Sequence, residues 1–368
     1  MKTAVFFVPL GLLLGTANYV VDPGHIFHRG AYEQGIVRLL LDGHDVANLS
    51  NYDERLLQQY YIEGSQRPIT IGVFGSSRSM QVSREMFPGQ TFQNYSVSGA
   101  VLEDDLALYE LLREKERLPR MLILALDPWI LNVHHGQSRW TTLQRFYEAA
   151  ARRLGLLRNR ARVSDAAGYS LQRIAELFSP RYFQRTLAAL WNRQEHGAYY
   201  PTTQAEDERE IKRSDGSLVY DRQTRVRTPA EVHTIALNYV QEGQVYSLER
   251  FHQINTTALQ QLRALVEGLQ KDGVRPVILL PPYHPVTYQR FQQSSRYRIV
   301  ETVETVLREW AVSEGIQVVG SYDPSRCGCS EEAFLDGMHP KPSCLRKIIG
   351  ESADWGQRGP KASRRHTE

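Results

Sequence analysis

Three short stretches carry residue types that together could run acyl-transfer chemistry. In FGSSRS, residues 74–79, an apolar run stops at Gly75 and is followed by Ser76, Ser77 and Arg78. Glycine permits a tight turn, and serines at a helix N-terminus meet free backbone N–H groups that favour negative charge. That suits a nucleophilic serine and the oxyanion it creates, though the same residues suit a plain N-cap. No Gly-Lys-Ser/Thr follows, so a phosphate-binding loop is not supported. In NYSVSGA, residues 94–100, Ser98-Gly99 opens a helix, and Gly99 could bring its N–H close to a substrate oxygen. In FLDGMHP, residues 334–340, Asp336 and His339 stand three apart on a Gly- and Pro-punctuated loop. The carboxylate can then fold onto the imidazole Nδ1 and leave Nε2 free to take a serine proton.

Such groups work only if strands and helices bring them together. Apolar runs bounded by turn residues predict strands at 68–74 (PITIGVF), 91–97 (TFQNYSV), 120–126 (RMLILAL), 275–280 (RPVILL) and 316–320 (IQVVG). Helical spacing of apolar residues falls at 101–116, 257–269 and 300–312. Alternating strands and helices imply an α/β protein with a flavodoxin-like, doubly wound parallel sheet in three layers. In such sheets ligands sit beyond the carboxyl ends of strands, where the three stretches fall. Asp127 and Trp129 after RMLILAL, and Tyr283 and His284 in PPYHP (281–285), end strands at the same edge and are candidates for a pocket wall. Residues 133–255 are too long for a structureless loop and read as a mostly helical insertion or lid, with a helical stretch near 170–191. The tail 356–368 is polar, basic and expected to be disordered.

The chain of 368 residues carries a net charge of +3, which suits one large domain and calls for no nucleic-acid partner. Residues 3–21 hold no charge and follow Lys2. They read either as a signal segment cleaved near Gly15-Thr16-Ala17 or as an uncleaved membrane anchor. Both readings export residues 22–355, to the periplasmic or extracytoplasmic side. Of the three cysteines, Cys327 or Cys329 could bridge to Cys344 and leave an odd thiol. Cys327-Gly-Cys329 lacks a second pair at zinc-like spacing. His25, His28, His134 and His135 read as solvated loop residues.

FGSSRS, NYSVSG and DGMHP, in this order, resemble the blocks of the SGNH/GDSL hydrolase superfamily. With NYVVDPGHIF at 18–27, the chain is similar to its membrane-anchored, exported bacterial branch, distantly like the D-alanyl-lipoteichoic acid transfer protein and polysaccharide O-acetylation proteins. The resemblance covers about residues 15–130 and 255–350. It selects Ser77 as nucleophile, His339 as base and Asp336 as its partner, with the N–H groups of Ser77 and Gly99 as oxyanion hole. Two departures stand out. Gly-Ser-Ser-Arg replaces Gly-Asp-Ser-Leu, and Asp127-Pro128-Trp129-Ile130-Leu131-Asn132 stands where Gly-x-Asn-Asp should supply an amide donor. Arg78 or Asn132 is the candidate replacement. The resemblance implies a serine esterase or O-acyltransferase without cofactor or metal, acting on an acylated carbohydrate or envelope polymer, with a membrane acyl-donor protein as a further expected partner. The alternative is a non-catalytic SGNH-fold component of envelope polysaccharide assembly.

Overall fold

RMLILAL and RPVILL are apolar at almost every position, a pattern that only strands covered on both faces can use. The computed structural model describes residues 2–21, 30–156, 199–241, 245–350 and 355, with a few positions between 178 and 191. In chain order its strands are β1 (Asp45–Ala47), β2 (Ile71–Phe74), β3 (Phe92–Asn94), β4 (Met121–Ala125), β5 (Tyr200–Thr202), β6 (Ile211–Lys212), β7 (Leu218–Val219), β8 (Arg275–Leu280) and β9 (Gln317–Gly320). Five of them form one parallel sheet in the order β3-β2-β4-β8-β9. Counted along the chain this is second, first, third, fourth, fifth, the flavodoxin-like order. All five predicted strands are present; four are trimmed by one to three residues at one or both ends, and RPVILL keeps its predicted limits.

Side chains alternate across the sheet. Leu122, Leu124, Ile278 and Leu280 enter one core with the helices Leu102–Glu114, Thr256–Lys271 and Ile299–Ser313. Ile71, Val73, Ile123, Val277 and Leu279 enter a second core under the helix Pro342–Gly350. The architecture is therefore three-layer α/β, as the sequence predicts.

The insertion is not only helical. Its described part holds the helices Gln144–Arg153 and Pro229–Gln241, but also β5, β6 and β7. These join β1 in a small antiparallel sheet ordered β5-β1-β6-β7. Strands of two or three residues carry too little periodicity to be read from sequence. Most of the predicted helix at 170–191, the tail from 356, and His25 and His28 lie outside the described residues. Lys2–Val21 is helical, with Leu12, Leu13 and Val20 exposed. Among the described residues no helix is long and apolar enough to cross a membrane.

Cys329 and Cys344 form the disulfide, which ties the loop after β9 to the last helix and leaves Cys327 as a buried free thiol. Burial pushes that thiol up to about 12. A disulfide sulfur is not a thiolate ligand, so the Cys327/Cys329 pair offers no metal site.

Candidate functional site

The strand β2 is followed by Gly75, where φ is +151°. A Cβ there would lie 2.9 Å from the Ala125 carbonyl and 2.7 Å from the Ala125 Cβ, so only glycine lets the chain turn so close to β4. Ser76 then caps a turn over Ser77–Ser79, its Oγ accepting from the Arg78 N–H at 3.2 Å. The turn is a single 3-10 turn, not the expected α-helix, so the Ser77 N–H is left unspent by local geometry rather than backed by a long dipole.

The sheet order brings the last loop against this turn. Ser77 Oγ lies 2.9 Å from His339 Nε2, although the two are 262 residues apart in sequence. His339 Nδ1 lies 2.8 Å from Asp336 Oδ2. The other carboxylate oxygen, Asp336 Oδ1, accepts from the N–H groups of Met338 at 2.8 Å and His339 at 2.9 Å. Burial pushes the Asp336 carboxyl up, but the His339 charge, its hydrogen bond and the two N–H groups outweigh this and hold it down at about 2. It therefore stays ionised, fixes the imidazole tautomer and leaves Nε2 facing the serine. All three side chains are half-buried, open enough to meet a substrate.

Arg78 does not reach an oxyanion position. Its Nη1 donates to Asp127 Oδ1 at 2.6 Å, its Nη2 to the Pro281 carbonyl at 2.6 Å and its Nε to the Met338 carbonyl at 2.8 Å. Its guanidinium lies 3.9 Å above the Tyr283 ring. Arg78 is thus a buried clamp joining the ends of β2, β4 and β8 to the His339 loop. Burial pushes the Asp127 carboxyl up, and Arg78 opposes that. Asn132 is committed too: its amide donates to the Ser247 carbonyl at 2.8 Å and its side-chain oxygen accepts from the His134 N–H at 2.9 Å.

The expected pocket wall is likewise structural. Asp127 is the counterion of Arg78, and Tyr283 is fully buried beneath it. Trp129 is 1% exposed, and its indole N–H goes to the Ala100 carbonyl at 3.0 Å. His284 is fully buried and caps the helix Pro285–Gln293 through Nδ1. Apolar neighbours close over the strand ends faster than the sequence suggests.

The Ser98-Gly99 loop is held by residues the sequence did not single out. Glu54 takes both the N–H and the hydroxyl of Ser98. Arg55 donates to the Ser98 carbonyl at 3.2 Å and forms a two-pronged buried pair with Asp104 at 2.9 and 2.8 Å. Asp104 Oδ2 also accepts from the Val101 N–H at 3.0 Å, fixing the start of the helix Leu102–Glu114. Gly99 has φ +58°, in the left-handed region. The small sheet and the segment after it cover the site: the Tyr220 ring stands 5.9 Å from the His339 ring, and Tyr239 donates to the Met338 sulfur at 3.3 Å. Acidic capping residues and an Asp-x-x-His chain reversal leave a trace in sequence; these tertiary partners leave none.

A family model covering residues 50–350 matches this chain. The chain belongs to the DUF1574 family. That family is described as a protein of unknown function. Its span takes in both the β2 turn and the His339 loop, so the Ser77–His339–Asp336 array lies wholly within the DUF1574 region. No curated protein matches the chain.

Proposed function

We propose that this DUF1574 protein is an exported SGNH-type serine esterase or O-acyltransferase acting on acyl groups of a cell-envelope carbohydrate. The observation that carries the reading is the 2.9 Å approach of Ser77 Oγ to His339 Nε2, with Asp336 2.8 Å from Nδ1. In this mechanism Ser77 Oγ attacks the acyl carbonyl as its proton passes to His339 Nε2. The ionised Asp336 stabilises the imidazolium. The N–H groups of Ser77 and Gly99 hold the tetrahedral oxygen. His339 then protonates the leaving alcohol, and the acyl group remains on Ser77 as an ester. Water or a sugar hydroxyl, deprotonated by His339, releases it. Transfer to a sugar needs water kept out at that stage, and the cover made by the small sheet with Tyr239 supports this role.

The phenol Tyr220 stands beside His339, with Asp336, Glu210 and Glu54 near enough to act on it. That supports a hydroxyl-rich acceptor over a lipid ester. Export is supported by the Cys329–Cys344 disulfide, since such bonds persist in oxidising compartments. The apolar segment 3–21 serves as anchor or as cleaved signal, and in the anchored form a membrane acyl-donor protein is the expected partner. A second reading, a non-catalytic assembly component of the same fold, is favoured by one observation: neither Asn132 nor Arg78 supplies the amide-type donor of the third block.

The test uses short-chain nitrophenyl esters and acetylated sugar oligomers, with the wild type and Ser77→Ala compared at equal folding. Ester release that vanishes in Ser77→Ala supports the enzyme. Saturable binding of the oligomer without any release, equal in both proteins, supports the assembly role.

A further inference from the structure

This inference rests on the acyl-transfer reading above and concerns its weakest point, the missing third donor to the oxyanion. The turn after β4 cannot provide one. Asp127 is paired with Arg78, the Trp129 indole N–H is spent on the Ala100 carbonyl, and the Asn132 amide is spent on the Ser247 carbonyl. The space over that turn is instead filled from the insertion. The Tyr246 ring packs edge-on against Trp129, with centroids 5.1 Å apart. Its phenolic oxygen reaches Gly99: a Cβ built on Gly99 would lie 2.1 Å from it and 2.6 Å from Arg139 Nη2. The hydroxyl is buried and makes no well-formed hydrogen bond among the described residues, although the Arg139 and Ser247 side chains stand beside it. A buried hydroxyl without a partner costs about 1–3 kcal/mol, so a group that carries that cost here needs an acceptor from elsewhere.

Tyr246 is also fastened to the catalytic loop. Its N–H donates to the Tyr239 hydroxyl at 3.1 Å, and that hydroxyl donates to the Met338 sulfur at 3.3 Å. The Tyr239 ring lies 2.8 Å from where a Gly337 Cβ would stand. Tyr246 and Tyr239 together therefore reach from the glycine of the oxyanion loop to Gly337 and Met338, the two residues before His339. Burial raises the Tyr246 phenol and Arg139 opposes this, so the hydroxyl keeps its proton at neutral pH and remains a donor.

We infer that Tyr246 is a catalytic residue, its hydroxyl donating the third hydrogen bond to the oxyanion beside Gly99, with Arg139 as a positioning residue whose charge favours negative charge at that point. The glycine is then required twice, for its left-handed backbone and because any side chain would occupy the place of the phenol. The insertion becomes part of the active site.

The experiment is the kinetics of a fluorophosphonate probe, whose phosphoryl oxygen takes the oxyanion's place once Ser77 is phosphonylated. Tyr246→Phe should lower the maximal phosphonylation rate about 100-fold, the size seen when one oxyanion donor is lost. Probe affinity should stay within twofold, and the melting temperature should be nearly unchanged, since the deleted hydroxyl makes no well-formed hydrogen bond among the described residues. Arg139→Gln, at an exposed position where folding is not at stake, should lower the same rate about fivefold. A wild-type rate in both variants overturns the assignment, as does a loss in Tyr246→Phe that follows only a loss of folded protein while Arg139→Gln stays at the wild-type rate. A well-folded wild type that never labels overturns the acyl-transfer reading and this inference with it. A wild type that labels beside an equally fast Tyr246→Phe overturns this inference alone.

Discussion

Replacing Arg78 by methionine removes a buried cation that ties the His339 loop to the sheet. The side chain is fully buried and pairs with Asp127, which is 4% exposed. Taking away one member of a buried pair strands the other charge, which costs about 3–5 kcal/mol. Methionine fills most of the volume, so the loss reports the stranded Asp127 carboxylate and the freed carbonyls of Met338 and Pro281 rather than a cavity. Adding Asp127→Asn removes the stranded charge and should recover about 2 kcal/mol of the loss, a coupling in the range seen for contacting residues. Phosphonylation of Ser77 should not recover in the double variant, because the Nε bond to the Met338 carbonyl remains absent and the His339 loop is still loose. Lysine at the same site keeps a cation beside Asp127 and should destabilise less than methionine, but it should not restore phosphonylation, since a single ammonium cannot reach three acceptors in a fixed fork. The assay is urea denaturation followed by tryptophan fluorescence, with the slope checked for constancy. An Arg78→Met midpoint within about 1 kcal/mol of wild type, or simple additivity of the two substitutions, would refute the clamp.

Two further outcomes follow from local chemistry. Asp336 titrates at about 2 in the folded protein, below its unfolded value. A depressed carboxyl contributes stability that is present above the unfolded value and lost as pH falls through the folded one. About 2 kcal/mol should therefore disappear between roughly pH 4 and pH 2. Asp336→Asn should flatten that part of the pH–stability curve, and an unchanged acid limb in the variant would contradict the ionised Asp336. The Cys329–Cys344 bond closes a 15-residue separation, for which chain entropy gives about 3 kcal/mol. Reduction should lower the melting temperature clearly, while Cys327, buried and with its thiol pushed up, should resist alkylation at pH 8 until the chain unfolds.

What the sequence made legible has a physical pattern. RMLILAL and RPVILL gave their strands because a doubly covered parallel sheet demands unbroken apolar runs. Asp336 and His339 could be paired because three residues and a Gly-Met turn suffice to fold one side chain onto the other. Ser77 needed the fold as well, since its partner is 262 residues away. Arg78 reads as a replacement oxyanion donor for a related reason: its counterion, Asp127, lies 49 residues on and inside the same wall. Tyr283, His284 and Trp129 stay open as pocket lining in the sequence because an aromatic at a strand terminus reads the same whether it faces solvent or the underside of a neighbouring loop. β5, β6 and β7 are too short to show a period, and with them the contributions of Tyr220 and Tyr246 stayed hidden. Those positions become meaningful only once the small sheet has been laid against the large one.

The central claim is that Ser77 is an activated nucleophile. It is tested most directly by incubating the purified disulfide-intact protein with a fluorophosphonate and locating the adduct by peptide mass spectrometry. The account predicts one adduct, on Ser77, lost in Ser77→Ala and His339→Ala and retained in Ser76→Ala. An adduct on Ser76, labelling that survives His339→Ala at the wild-type rate, or no adduct on the folded wild type would contradict it.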